Sequence, residues 1–294
     1  MLNHQIPRPL KPARVVLIGA HGFIGRALRR RLDADGIANL PLRSNEVNLI
    51  EPASVESLVE RLRPEDAVVM LAALTPDKGR DVSTVMRNLA MMQHLCAALE
   101  RSGCAHLVYF SSDAVYNPAA SRVTEEMPAS PQDLYGAMHY TREIMARGLA
   151  KVPVLVVRPT LVYGVDDTHN AYGPNRFRRV GDKEGRITLF GEGEETRDHI
   201  HVDDVAALTA LCLMHRSTGT LNLATGRSIS FKELAQLVAA QFTKPVAIDP
   251  TKRANPITHR HYDVTNLIKA FPRFRFIPLE EGIPRVHREM TKEG

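Results

Sequence analysis

Val15-Val16-Leu17-Ile18 runs directly into Gly19-Ala20-His21-Gly22-Phe23-Ile24-Gly25. A short β-branched apolar run reads as a buried parallel strand. The glycines then open a helix from Phe23 to about Leu32. The first permits a tight turn, the second lets a pyrophosphate approach the backbone, and the third lets helix and strand pack closely. The helix N-terminus offers free N–H groups and a positive dipole end. Strand, loop and helix in this order point to a nucleotide phosphate site walled by Gly19, His21, Gly22, Phe23, Ile24 and Gly25.

Strand and helix patterns alternate after that junction. Strands are expected near Ala38–Leu42, Ala67–Ala73, His106–Ser111 and Val152–Arg158. Helices are expected over Ser54–Arg63, Val82–Ser102 and Leu134–Leu149. In the long helix, Val85, Met86, Leu89, Met92, Cys96 and Leu99 fall on one face. Such βαβ repetition implies an α/β fold with a doubly wound parallel sheet. Beyond Tyr163 the pattern loosens. Residues 165–185 read as a long functional loop, Ile187–Phe190 as a strand and 203–215 as a helix. Leu221–Ala224 reads as a strand returning to the sheet. Ser230-Phe231-Lys232-Glu233 is a capping box. Residues 252–294 read as a small irregular lobe, and residues 1–12 as a loose polar tail.

Composition narrows the function classes. The chain has 294 residues, enough for one large α/β domain with a smaller lobe. No apolar run approaches the ~20 residues of a membrane span, so no membrane association is expected. Three cysteines, Cys96, Cys104 and Cys212, show no spaced pattern. They read as buried and reduced, which implies a cytoplasmic protein, and no metal site is expected. The net charge of +5 suits an anionic ligand. No nucleic-acid motif accompanies it, and Arg29-Arg30-Arg31 reads as a solvated helix face.

Further motifs follow in a fixed order. They are Ser111-Ser112-Asp113-Ala114-Val115-Tyr116, Tyr135-Gly136-Ala137-Met138-His139 and Arg158-Pro159-Thr160-Leu161-Val162-Tyr163-Gly164. Gly191-x-Gly193, Thr196-Arg197-Asp198-His199-Ile200-His201-Val202-Asp203-Asp204 and Asn222-Leu223-Ala224-Thr225-Gly226 complete the set. From Arg14 to Arg285 the chain resembles the extended short-chain dehydrogenase/reductase family, in its nucleotide-sugar epimerase, dehydratase and reductase branch. The resemblance implies a Rossmann domain over 13–163 and a substrate lobe over 164–294, from which 203–224 returns to the sheet. It also implies a nucleotide-sugar substrate at the carboxyl ends of the strands and a homodimer through the two long helices.

The end of the second strand reads Leu42-Arg43-Ser44-Asn45. A guanidinium and a hydroxyl suit a 2′-phosphate, where an acidic residue would suit the ribose hydroxyls of NAD. The stretch also resembles that of GDP-fucose synthases, which use NADPH. NADP(H) is therefore favoured over NAD(H), with Arg43 and Ser44 at its phosphate. Asn48 and Leu49 would lie by the adenine, and Leu71, Ala72, Ala73 and Pro159 along the dinucleotide.

In the family a tyrosine is the acid/base, a serine or threonine holds the reacting oxygen, and a lysine one turn on lowers the tyrosine pKa and binds the nicotinamide ribose. The resemblance implies these roles for Tyr135, Ser112 and His139. His139 departs from the pattern: imidazole is shorter and, with a pKa of ~6.5, mostly neutral at pH 7. Arg142, on nearly the same face, is open to two readings, a source of the missing charge or a surface salt-bridge residue. A non-catalytic dinucleotide-binding protein is the alternative that His139 raises. Ala114 stands where 4,6-dehydratases carry a glutamate base, so dehydration is disfavoured. The resemblance assigns Asp113, Asn175 and Arg197 to the substrate, Arg197 at its diphosphate. Asp203 and Asp204 read as helix caps.

Overall fold

The computed structural model describes residues 2–167, 170–253 and 256–292. Its elements begin with β1 (Asn3–His4), β2 (Val15–Ile18), α1 (Phe23–Ala34), β3 (Asn39–Leu42), α2 (Ser54–Val59) and β4 (Ala67–Met70). They continue with α3 (Val82–Ser102), β5 (His106–Phe110), β6 (Arg122–Val123), α4 (Leu134–Arg147), β7 (Val154–Pro159) and β8 (Leu161–Tyr163). Next come α5 (Pro174–Glu184), β9 (Arg186–Phe190), β10 (Thr196–His201), α6 (Val202–Met214), β11 (Ser217–Leu223) and β12 (Ser228–Ser230). The last are α7 (Phe231–Ala239), β13 (Ala247–Thr251), β14 (His261–Tyr262), α8 (Thr265–Ala270) and α9 (Leu279–Lys292).

The chain divides into two compact units, the first formed by residues 1–118, 125–159 and 205–223. Its seven-stranded sheet has the order β1-β11-β7-β5-β4-β2-β3. All its pairings are parallel except β1 with β11. Every residue of β2, β4 and β5 is buried, as expected of strands with helices on both faces. Val16, Val68, Met70, Leu107 and Val156 meet Leu95 and Leu99 of α3 in one apolar core. The doubly wound α/β fold is thus as the alternation predicts.

Two expectations for this unit are corrected. Residues 3–4 are not loose: Asn3 and His4 pair with Thr218 and Ser217 and close the sheet edge, and His4 stacks on His215 at 4.3 Å between ring centroids. The inward face of α3 is Thr84, Asn88, Met91, Met92, Leu95, Ala98 and Leu99, whereas Met86 is 58% exposed. Apolar periodicity misplaces that face because two inward positions are polar. Asn88 is stabilised in its buried place by bonding both the N–H and the carbonyl of Leu74, at 2.9 and 3.0 Å.

The second unit comprises residues 119–124, 160–204 and 224–294. It holds a three-stranded sheet, β12-β10-β8, and the pairs β13-β9 and β14-β6. Tyr163, Phe177, Ile187, Leu189, Phe231, Leu234, Ile283 and Val286 form its core. Two more expectations change here. The stretch read as a long loop contains α5, with Pro174 in its first turn and Gly185 left-handed at its end, as helix punctuation requires. The stretch read as irregular contains α9, whose Leu279, Ile283 and Val286 face inward at helical spacing. The Ser230–Glu233 capping box is present at the start of α7.

Candidate active site

The glycine loop joins β2 to α1 at the carboxyl end of β2. Gly19 takes φ +91°, and a Cβ there would lie 2.7 Å from the Ala72 nitrogen. The loop after β4 therefore crosses directly over Gly19, and Ala72 N donates to the Ile18 carbonyl at 3.1 Å. A Cβ on Gly25 would collide with the Gly19 carbonyl, so only glycine lets α1 start this close to the strand. Gly22, at the N-cap of α1, differs. A Cβ there would meet only the Gly19 carbonyl, at an ordinary 3.4 Å. Its remaining side is open, as a site for a pyrophosphate needs.

Arg43, Ser44 and Asn48 lie exposed after β3. The Arg43 N–H donates to the Glu46 carboxylate at 2.9 Å, which fixes the turn and leaves the guanidinium outside it. Leu49 instead points into the core at 4% exposure, and its carbonyl is paired with His94 Nδ1 at 2.8 Å. Leu71, Ala72 and Ala73 are partly exposed beside the glycine loop, and Pro159 is buried at the end of β7.

Ser112 and Tyr135 come together through backbone contact. Ser112 caps the short 3₁₀ turn Asp113–Val115 by accepting from Ala114 N at 3.2 Å. The first turn of α4 packs on that turn so tightly that a Cβ on Gly136 would strike the Ala114 carbonyl. Asp133 caps α4 by accepting from Gly136 N at 2.7 Å. Tyr135 is left half-buried beside the Ser112 hydroxyl. Burial, then the Asp113 carboxylate, push the Tyr135 phenol up to about 12, against a bond from Ser112 and the Arg142 charge. The phenol is thus protonated at neutral pH.

His139 stands one turn behind Tyr135, edge-on at 4.6 Å between ring centroids. It is 2% exposed. Its Nδ1 pairs with the buried Tyr109 hydroxyl at 2.7 Å, while its Nε2 is buried with no partner. Burial, and then the Arg142 charge, hold it well below the usual histidine range, so it is neutral. Arg142 is not a surface residue. It is fully buried and donates to the Ala72 carbonyl at 2.9 Å.

Behind these residues runs an ion network that the sequence did not disclose. The fully buried Glu143 carboxylate accepts from Ser111 Oγ at 2.6 Å and from Arg158 Nε and Nη2 at 2.8 and 2.6 Å. Arg158 also donates to the Tyr116 hydroxyl, which donates to Asn222 Oδ1, both at 2.8 Å. Burial would raise the Glu143 pKa, but the bond and charge of Arg158 outweigh it and lower it. Tyr116 and Asn222 thus serve structure, tying β7 and β11 to the turn that carries Ser112.

In the second unit, Arg197 projects from β10 and is engaged by the Thr258 carbonyl and, at 2.7 Å, its hydroxyl, with Glu195 3.5 Å away. Asn175, at the start of α5, is 3% exposed and donates to Asp167 at 2.9 Å. Its Oδ1 has no partner and lines a small cavity with Tyr163, Arg178 and His287. Asp203 and Asp204 lie inside the first turn of α6, which begins at Val202. Asp203 takes Arg285 at 2.6 Å and Asp204 accepts from Ile277 N at 2.9 Å, while His201 Nδ1 accepts from Asp203 N at 3.1 Å.

Residues 15–224 match the family model of the NAD dependent epimerase/dehydratase family. The chain belongs to that family. Among its relatives it is 27% identical to a dTDP-4-dehydro-6-deoxy-D-allose reductase of Streptomyces bikiniensis, over 93% of this chain and 95% of the relative. Its fold is similar to that of RMD from Pseudomonas aeruginosa, complexed with NADPH, at TM-score 0.84 and 23% identity over 96% of this chain and 100% of that one. It is likewise similar to the UDP-glucose 4-epimerase of Thermus thermophilus in complex with NAD, at TM-score 0.78 and 24% identity over 95% and 99%. Structures of similar fold thus hold either dinucleotide. In this chain Tyr135, Ser112 and the glycine loop all belong to the first unit.

Proposed function

We propose that the protein is an NADP(H)-dependent oxidoreductase that reduces a keto group on a nucleotide-activated sugar, at C4 by the family pattern. The observation that carries this reading is the exposed Arg43 and Ser44 after β3, a guanidinium and a hydroxyl suited to the 2′-phosphate of NADPH, the dinucleotide that a net reductase consumes. Tyr135, beside the Ser112 hydroxyl, is the proton donor to the carbonyl oxygen as negative charge develops there. Ser112 holds the reacting oxygen, and Asp113 contacts the substrate beside it.

The residues present fit the dinucleotide. Gly22 leaves the pyrophosphate approach open, and the exposed Arg43 and Ser44 suit a 2′-phosphate. The unpartnered Nε2 of His139 is a bonding group of the right kind for a ribose hydroxyl. When bound, the nicotinamide supplies the hydride. Two copies associate through α3 and α4, where Val82, Met86 and Ile144 are 64%, 58% and 55% exposed; light scattering at the dimer mass is the expected result.

The test is a fluorescence titration of purified protein with NADPH and NADH, with mass spectrometry for retained dinucleotide. Selective NADPH binding, weakened at least tenfold by Arg43→Ala while NADH is unaffected, supports reduction. Tightly retained NAD(H) overturns it in favour of an epimerase. Binding without turnover across nucleotide keto-sugars, in wild type and Tyr135→Phe alike, would leave a non-catalytic dinucleotide-binding protein.

A further inference from the structure

Tyr135 needs a positive charge nearby if its phenolate is to be accessible, and His139 does not provide one. Its ring is neutral, its Nδ1 is committed to Tyr109, and burial opposes its protonation. Three residues further along α4 stands Arg142, with 0% of its surface exposed. Its Nη2 donates to the Ala72 carbonyl at 2.9 Å, and its Nη1 reaches Asn88 Oδ1 at 3.5 Å. Its Nε has no partner. The guanidinium carbon lies 5.1 Å from the centroid of the Tyr109 ring, the same ring whose hydroxyl holds His139. Among the described residues no carboxylate pairs with it. Glu143, its neighbour in sequence, is taken by Arg158, Arg147 and Ser111.

Burying a guanidinium without a counter-ion is costly, because neutral carbonyls and a ring face do not replace its hydration in full. Such uncompensated charge concentrates where its field is used. The geometry says where this field acts. Tyr135 and Arg142 are seven residues apart and share one face of α4. Helical side chains lean toward the N-terminus, so the Arg142 stem runs back along that face, toward His139 and Tyr135. An arginine also keeps its charge at any pH at which the protein folds.

We propose that Arg142 is a positioning residue that supplies the charge of the family's lysine, stabilising the Tyr135 phenolate from behind a neutral His139. The two tasks of one lysine are then divided: charge to Arg142, the ribose bond to His139. The other groups acting on Tyr135 fit this division. Asp113 and Asp133 oppose ionisation, Ser112 favours it through a hydrogen bond, and Arg142 is the cation among them. Tyr109 carries no charge at neutral pH, its phenol being raised by burial. Arg142 has a second consequence. By bonding Ala72 it fixes the loop that crosses Gly19, so one side chain joins α4 to the dinucleotide wall.

The inference rests on the reading of Tyr135 as the acid/base, and the test keeps the two apart. The protein is labelled with 3-fluorotyrosine, which lowers every phenol midpoint, and followed by ¹⁹F NMR. Tyr135→Phe assigns the resonance. Arg142→Gln, which keeps a donor for Ala72, should raise the Tyr135 midpoint by about one pH unit or more. Arg142→Met should do the same. Arg142→Lys, which keeps the charge, and His139→Gln, which changes no charge, should move it by much less. A midpoint unmoved in the neutral Arg142 variants, or moved as far by His139→Gln or Arg142→Lys, overturns the proposal. If the midpoint moves as expected while Tyr135→Phe retains turnover, the charge coupling stands and the catalytic reading of Tyr135 falls.

Discussion

The Tyr109 hydroxyl and His139 Nδ1 are 2.7 Å apart, both buried, and their bond decides which imidazole nitrogen is left for a ligand. Nε2 is the free one. Tyr109→Phe removes the bond and leaves Nδ1 buried without a partner, which should cost about 1–3 kcal/mol of stability. It also releases the ring from its orientation, so NADPH affinity should fall with it. Urea unfolding and NADPH fluorescence on the same preparation check both. A variant that loses stability but binds NADPH as tightly as wild type would show that His139 orientation does not matter to the dinucleotide.

Gly22 and Gly25 separate binding from folding. A methyl group on Gly25 has no room beside the Gly19 carbonyl, whereas one on Gly22 makes only ordinary contact with that atom. Gly25→Ala should therefore destabilise the fold by about 1–3 kcal/mol or more, as overpacking does. Gly22→Ala should leave the unfolding midpoint close to wild type but weaken NADPH at least tenfold, about 1.4 kcal/mol. A Gly22→Ala variant that binds NADPH as tightly as wild type would remove Gly22 from the phosphate site.

These glycines were legible in the sequence because their constraint is local: strand, turn and helix follow within a dozen residues. The starts of α3 and α4 were legible for the same reason, since Asp81 and Asp133 cap them three residues ahead of the N–H they bind. What was not legible is contact across distance. Arg142 looks like any charged helix residue until its acceptor, 70 positions away, is known. His139 and Tyr109 are 30 positions apart. The N-terminal strand pairs with residues more than 200 positions on, and a two-residue strand has no periodicity to read. The inward face of α3 was misplaced because Asn88 is buried for its hydrogen bonds, which apolar spacing cannot register.

The Glu143–Arg158 pair should dominate the stability of the first unit's site. Glu143 is fully buried and Arg158 nearly so, and two hydrogen bonds join them. Glu143→Ala leaves the Arg158 guanidinium buried with the Tyr116 hydroxyl as its remaining side-chain partner, a loss of about 3–5 kcal/mol. The exposed pair of Arg101 and Glu56 has similar geometry, but water screens it, so Glu56→Ala should leave the unfolding midpoint unchanged. Denaturant unfolding of the two variants side by side makes the comparison. A small loss for Glu143→Ala would mean that solvent reaches Arg158 once the carboxylate is gone.

Acid should weaken the fold through its buried histidines. Burial, the largest cause in each case, lowers His106 to about 4, His199 to about 3 and His139 well below 6.5. In the unfolded chain each titrates near ~6.5, so below that pH the unfolded state binds more protons and stability falls with acidification, by ~1.4 kcal/mol per pH unit for each histidine. Two carboxylates act in the opposite sense. Burial raises Asp198 and Asp204 to about 6, so the folded state binds protons at these sites first and gains stability as pH falls from about 6 toward 4. His287 and the paired carboxylates Glu143 and Asp263, all held low, add to the histidine side, so acid brings a net loss of stability over that window. His199 offers the clean test, because neither buried ring nitrogen has a well-formed hydrogen bond and its one polar contact is with the Arg197 backbone. His199→Leu should make the fall in stability between pH 6 and 4 shallower, by up to ~1.4 kcal/mol per pH unit. A slope as steep as that of wild type would show that His199 is protonated in the folded protein.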